Sequence, residues 1–581
     1  MAPESAVPAG HSREPYAQAL PPADRRRTLS EQSDVWRADA APSRWWQSPV
    51  VIVIAAALIR GVLLLTYEGT VGDGSTRVLA AASWLWNGVS LFGRTIWPEG
   101  NYLLPAAALL VWNEPFWSVR ILYALVGVSN VWLIYLLGRT VYGRSAGAIA
   151  GWIVACMPFH AQLSVEGATS EVPYLSCILV SVLAIVRYAK DPSPLLAMCS
   201  GLVLTAATSF RYDAVVWAIP LTASIAAAAF RHRLPLSRTA RDLTLFGVCA
   251  IAFPAALLAR WMELSPDPFY VFSAGKLNTQ EFFVHGVHAR SPGWLYQSYT
   301  LAFWPASTFV LLTPLVAMLG WTGWACAIRE RRLAALPVSL GIVVVCIWLG
   351  YATFQHAILA QFRYALVIAV LLSVFCLTGA EALTRLWPVL TGKRIAAATL
   401  VTAVASVAAI IVLAFINAGV LTRQIGGLSP ISPGQFASRD LLTWLRSDAG
   451  SSEPVLLTPH VVQQPYLTMH LAELKRSGRV IAQSYYLPEG GFVFTHASLT
   501  EQLATNIARA CYVVTNASEG ALGLRDGLYT ELVEPVHVMD DVYVWHGIKL
   551  RLLRRFESNL VWVVMHSASQ PPPPPEAICP Q

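Results

Sequence analysis

Five short stretches of this chain set ionisable side chains against apolar runs, where a charge is costly and calls for a partner or a ligand. In "YEGTVGDGSTRVLAAASWLWNG", Asp73 stands between two glycines. A carboxylate so placed is sterically open and can take a proton from a hydroxyl; the same position can cap a following helix. In "FHAQLSVEGATSEVPYLS", His160, Glu166 and Glu171 precede an apolar helix. Glu166 and Glu171 are off one strict helix face, and both also read as helix-start carboxylates favoured by the dipole. "TSFRYDAVVWAIP" places Arg211 and Asp213 between two apolar runs, as a snorkelling ion pair or as a phosphate clamp. The loop 263–297 carries Lys276, His285, His288 and Arg290 among aromatics, a composition suited to a phospholipid-like ligand. Its two histidines lack an obvious third ligand, so a divalent metal is not favoured. In "YATFQHAILAQFRYALVIAVLLS", Arg363 enters a long apolar helix with His356 one loop away. That arginine calls for an anion, and a lipid phosphate is the natural one.

The elements that must position these residues are membrane helices. Apolar residues make up 55% of the 581 and charged residues 13%, against about a quarter charged in soluble domains; mean hydropathy is +0.51. Runs such as "VIVIAAALIRGVLLL" and "GIVVVCIWLG" lack the alternation of a barrel strand, so helices are expected. The fold class read from this is an all-α polytopic membrane protein with a small C-terminal α/β soluble domain. About eleven spans are predicted: 48–66, 118–138, 145–161, 168–188, 194–210, 212–230, 243–262, 298–320, 334–352, 361–384 and 395–419. Residues 1–44 read as disordered and cytoplasmic, and 45–420 as the membrane domain with outer loops 67–117 and 263–297. Within the first loop, "STRVLAAASWLWNG" fits an amphipathic helix lying in the interface.

Basic residues set the orientation. With the N-terminus inside, inner loops collect Arg139, Arg144, Arg187, Lys190, Arg231, Arg329 and Arg385, while outer loops collect Glu68, Asp73, Glu166, Glu171, Asp213 and Glu263. All five chemical stretches fall outside. Residues 421–566 then form an extracytoplasmic α/β domain: "DLLTWLRSDAG" has helix character, and "EPVLLTPH", "GRVIAQSYYL", "ACYVVTNAS" and "DDVYVWHGIKLRLL" read as strands. The tail 567–581 contains five consecutive prolines, a polyproline II segment. Seven of the nine cysteines sit in or beside apolar runs; Cys511 and Cys579 remain, with no zinc spacing and no disulfide framework.

These features resemble the GT-C superfamily of glycosyltransferases that use lipid-linked sugars. The nearest branch holds the protein O-mannosyltransferases and the aminoarabinose transferase of lipid A (glycosyltransferase family 39-like). The resemblance rests on Asp73 followed by "LAAASWLWNG" and "YLLP", and on "VRILYALVGVSNVWLIYLLGRTVYGRSAGAIAGWIVACMPFHAQLS". The Arg-Tyr elements "FRYDAVVWAIP" and "FRYALVIAVLL" complete it. Many relatives carry paired acids in the first outer loop; here Asp73 is followed by Gly74. The resemblance implies a polyprenyl-phosphate-linked sugar as donor and a glycan, lipid or protein hydroxyl as acceptor, with no cofactor and no nucleic acid. Asp73 would be the base. Arg363, Arg211, Lys276 and Arg290 would bind the donor phosphate, and Glu166, Glu171, Asp213 and His356 would be further substrate contacts. Direct displacement implies inversion, at a site facing the periplasm or exterior of a bacterial inner membrane. A transporter or flippase is the alternative, but it calls for polar residues deep in several spans and for internal repeats. A scaffold presenting its C-terminal domain gives no reason for the outer arginines.

Overall fold

The computed structural model describes residues 44–67, 72–88, 92–93, 97–266, 269, 293–358, 360–386, 440–446, 454–457, 480–482, 506–516, 542–545, 548–556 and 559–565. Its helices in order are α1 (Pro49–Thr66), α2 (Gly72–Asn87), α3 (Gly100–Val111), α4 (Pro115–Tyr142), α5 (Arg144–Cys156), α6 (Pro158–Glu166), α7 (Glu171–Lys190) and α8 (Pro194–Thr208). After a 3-10 turn at Tyr212–Trp217 come α9 (Ala218–Arg231), α10 (Leu236–Leu264), α11 (Gly293–Leu311), α12 (Pro314–Arg329) and α13 (Leu336–Phe354). A second 3-10 turn, Phe362–Ala365, leads into α14 (Leu366–Leu372) and α15 (Cys376–Leu386).

Seven helical stretches among the described residues are long and apolar enough to cross a bilayer, or eight if the bent pair α5–α6 is one span. The chain is an integral, multi-pass membrane protein. Three predicted spans take a different form. The 145–161 stretch bends by 59° between α5 and α6, where Pro158 opens the second helix and cannot continue the first. The 298–320 stretch is two helices, parted at Thr313, whose φ is +71°, with Pro314 starting α12. Residues 194–210 give only the 15-residue α8. The predicted span 395–419 lies outside the described residues.

The core of the bundle is apolar side chains from α4, α7, α9 and the α14–α15 run, with Trp217 and Trp304 wholly buried. At its edge α1 buries only Ile52, Ala56 and Arg60 and leaves Leu58, Val62 and Leu65 exposed, as a lipid-facing helix should.

The segment expected to form the first outer loop differs from that expectation. Helix α2 does not float on a surface: every residue from Ser75 to Ser83 is buried. Val78 joins the bundle core. Leu79 and Ala80 to Ala82 pack with Tyr102, Ala106 and Leu109 of α3 and with the C-terminal domain. That domain contributes the helix at 440–446 (Leu441, Leu442, Trp444, Leu445) and one face of a sheet (Val455, Leu457, Tyr512, Val514, Val561, Val563). A helix apolar or satisfied all round belongs inside, not in an interface.

The sheet has strands β1 (Val455–Leu457), β2 (Val480–Ala482), β3 (Tyr512–Asn516), β4 (Val542–Trp545), β5 (Ile548–Phe556) and β6 (Asn559–Met565). Their order is β2-β1-β3-β6-β5-β4. Strands β1, β2 and β3 pair in parallel, and β3, β6, β5 and β4 antiparallel. The stretch "DDVYVWHGIKLRLL", read as one strand, is two strands of a hairpin in which Trp545 pairs with Ile548. Cys511, buried just before β3, is disulfide-bonded, where the sequence showed no disulfide framework. The seven cysteines of the membrane portion are free.

Candidate active site

The site is built on the link between α6 and α7, which carries Glu166 at its start and Glu171 at its end. Gly167 and Ala168 both have positive φ, +74° and +52°. For alanine that conformation costs about 1–2 kcal/mol, so something must hold it. Two buried arginines do. Arg120 of α4 donates from Nε to the Val165 carbonyl at 2.7 Å, and Arg77 of α2 donates from Nη1 to the Ala168 carbonyl at 2.8 Å. Thr169 Oγ1 adds a bond to the Leu163 carbonyl at 3.2 Å. Arg120 lies over the rings of Phe116 and Trp117 and also donates to the Tyr67 carbonyl.

Glu171, at the first residue of α7, meets two arginines from distant parts of the chain. Arg211 Nη1 and Arg363 Nε each lie 3.5 Å from its Oε1. Arg211 is gripped more tightly by Asp213, donating from Nε to Oδ1 at 2.9 Å and from Nη2 to Oδ2 at 2.8 Å. Its guanidinium sits 4.3 Å from the Tyr364 ring centroid and 5.3 Å from that of Tyr174. Arg363 Nη2 donates to Tyr364 Oη at 3.2 Å. Glu171, Tyr174, Arg211, Asp213, Arg363 and Tyr364, with Leu175, Val345 and Leu349, line a small cleft open to solvent.

Beside this cluster Glu166 is wholly buried. Its Oε1 accepts from Tyr67 Oη at 3.0 Å and from Gln162 Nε2 at 2.8 Å, while Oε2 has no hydrogen-bond partner among the described residues. Burial and the nearby Glu166 push the Tyr67 phenol well above its ordinary range. On the loop before α3, burial pushes the Glu99 carboxyl up to about 7, against the opposing pull of the Gly93 N–H it accepts.

Asp73 is the second residue of α2. The next residue, Gly74, seats α2 on the link: a Cβ there would come within 2.8 Å of the Gly167 carbonyl oxygen. The start of α2 therefore abuts the segment that carries Glu166 and Glu171. Gly74→Val is expected to unseat α2, lowering the melting temperature of the detergent-solubilised protein by several degrees. An unchanged melting curve would mean that the contact carries no stability.

Of the residues singled out in the sequence, Glu171, Arg211, Asp213 and Arg363 come together around one cavity, and Glu166 lies one link away. His356 stands in the turn after α13 at φ +54° and does not line the cavity. Lys276, His285, His288 and Arg290 lie outside the described residues. Among the described residues, no group of three His, Cys, Asp or Glu could hold a metal ion.

Sequence reasoning missed Arg60 and Arg120, although both interrupt apolar runs. Arg60 is buried in α1, with Nη1 on the Ala56 carbonyl at 3.0 Å and Nη2 2.6 Å from His160 Nδ1. Asn130 Nδ2 lies 3.3 Å from the other ring nitrogen of His160. A charge inside an apolar run was the available signal for both arginines.

Residues 98–257 match the family model described as dolichyl-phosphate-mannose-protein mannosyltransferase. The putative mannosyltransferase YkcB of Bacillus subtilis (strain 168) is 36% identical over 61 residues, which is 10% of this chain and 8% of that protein. ArnT from Cupriavidus metallidurans, solved bound to undecaprenyl phosphate, superposes with a TM-score of 0.50 at 13% identity, over 90% of this chain and 99% of its own. The Archaeoglobus fulgidus oligosaccharyltransferase, solved with Zn and sulfate, superposes with a TM-score of 0.47 at 14% identity, over 81% of this chain and 68% of its own. The chain thus shares its overall fold with that ArnT structure, and carries a small strand-containing region at its C-terminal end.

Proposed function

We propose that the chain is a membrane glycosyltransferase that moves a sugar from a polyprenyl-phosphate carrier to an acceptor hydroxyl on the extracytoplasmic face. One observation carries the reading. Two arginines from separate helix starts, Arg211 and Arg363, converge on a single cavity at the acidic end of the bundle, beside the link against which the Asp73 helix is seated. The family-model match and the fold shared with ArnT support it.

The donor presents an anomeric carbon bonded to a phosphate oxygen. The acceptor oxygen attacks that carbon from the opposite side while the carbon–oxygen bond to phosphate breaks, inverting the centre. Asp73 takes the hydroxyl proton as it becomes acidic during attack. The departing lipid phosphate needs no proton, being stable as an anion, and its growing charge falls between Arg211 and Arg363. Lys276 and Arg290 are proposed as further phosphate contacts, and Glu166 and His356 as substrate contacts. The lipid tail would run in the bilayer along the bundle surface.

Two features support the outward orientation. The basic ends of α7, α9 and α15 (Arg187, Lys190, Arg231, Arg385) lie opposite the site. The Cys511 disulfide belongs in an oxidising compartment. The proposed setting is a bacterial inner membrane with the C-terminal α/β domain outside.

The direct test is purified protein in liposomes with a polyprenyl-phosphate-linked radiolabelled hexose or pentose. Release of free polyprenyl phosphate coupled to acceptor labelling is the expected result. Turnover by none of a panel of such donors, with lipid translocation instead, would favour the flippase reading. No metal is proposed in the step: Asp213 is committed to Arg211, and no group of three His, Cys, Asp or Glu among the described residues could hold one. Chelation with EDTA is accordingly expected to leave the rate within about twofold; loss of most activity, restored by one divalent ion, would overturn this.

A further inference from the structure

A site that stabilises a departing phosphate risks holding it too well. The donor phosphodiester carries one negative charge. The product, a phosphate monoester with a second pKa near 6, carries about 1.5 to 2 at pH 7. The guanidinium pair that draws charge off the reacting centre therefore binds product more strongly than substrate, and release becomes slow.

The site holds a residue suited to relieve this. Glu171 is 3% exposed, it lines the cavity, and neither of its carboxylate oxygens has a hydrogen-bond partner among the described residues. Its two arginine contacts are both 3.5 Å, well beyond the roughly 2.7–2.9 Å of a charge-assisted hydrogen bond. Asp213, on the same Arg211, makes two such bonds at 2.8 and 2.9 Å. The carboxylates thus differ in grip. Asp213 holds Arg211 in place through Nε and Nη2, with Tyr364 and Tyr174 against the guanidinium faces. Glu171 touches only the remaining nitrogen, Nη1, and reaches Arg363 by the same oxygen.

We propose that Glu171 is a resident stand-in for the phosphate: it occupies the Arg211–Arg363 pair when no lipid phosphate is bound, yields that place to the donor, and returns to expel the polyprenyl monophosphate product. The loose contacts make the exchange cheap, and the Asp213 and tyrosine braces keep the guanidiniums assembled while it happens. The stand-in costs some donor affinity and returns it as turnover. This rests on the glycosyltransferase reading above.

The experiment uses undecaprenyl phosphate as probe on the full-length protein in liposomes, comparing wild type with Glu171→Gln and Glu171→Asp. Removing one negative charge beside the pair is expected to tighten probe binding by roughly tenfold. Glu171→Gln should also lower kcat while KM for the donor falls with it, and its progress curves should bend earlier from product inhibition. Glu171→Asp, which keeps the charge, should bind the probe within about threefold of wild type, showing that the gain follows charge and not loosened packing. Weaker or unchanged probe binding by a folded Glu171→Gln protein overturns the stand-in role. If wild type fails to bind the probe at all, the glycosyltransferase reading falls with it.

Discussion

Asp73→Asn is expected to lower sugar transfer by about 10²–10⁴-fold, the usual contribution of a positioned general base. Asparagine keeps the size of the side chain, so α2 should stay seated and expression and melting behaviour should hold. The loss should fall on kcat, with donor binding within a fewfold of wild type, because the base acts on the acceptor proton and not on the phosphate. A variant that is folded, binds donor and still turns over at the wild-type rate would remove Asp73 from the mechanism. Glu166 would be the next carboxylate to test, since its Oε2 is buried without a hydrogen-bond partner among the described residues.

Arg363→Ala is expected to cost about 10²–10³ in kcat/KM, in line with deletion of one donor from a preorganised anion site. The change strips one of the two cations facing Glu171 and leaves that buried carboxylate with Arg211 alone. Part of the loss is therefore electrostatic reorganisation of the pocket itself. Arg363→Lys should recover only a fraction, because an ammonium gives a point charge without the planar fork. Measuring kcat/KM for the lipid-linked donor together with undecaprenyl phosphate affinity separates the cases. Normal values for both would take Arg363 out of the phosphate site.

Much of the architecture was legible because membrane helices advertise themselves locally. A run such as Pro49–Thr66 must be a helix wherever it lies in lipid, since nothing else satisfies its backbone. Charge sorting between loops is likewise a sum over local residues. Where local signals failed, a proline or a packing partner had intervened. Pro158 and Pro314 broke stretches that hydropathy alone read as continuous. The hairpin hidden in "DDVYVWHGIKLRLL" depends on a pairing that only the sheet reveals.

Helix α2 makes the same point about the site. Ser75, Thr76, Arg77 and Ser83 gave it the pattern of a helix with one wet face. All four are buried, and Arg77 spends its charge on the carbonyl of Ala168. Hydrophobic patterning cannot distinguish water from a backbone acceptor or from a domain that docks later in the chain.

By itself the sequence determined that the chain crosses the membrane many times, and it singled out Glu171, Arg211, Asp213 and Arg363 as charges set against apolar runs; each follows from transfer energies summed over neighbours along the chain. Only the tertiary structure decided that Glu171 answers to Arg211 and Arg363 together, that Gly74 seats the Asp73 helix on the link at Gly167, and that two buried arginines hold that link in a left-handed turn. Those are meetings between segments remote in sequence, and their geometry is set by how the helices pack.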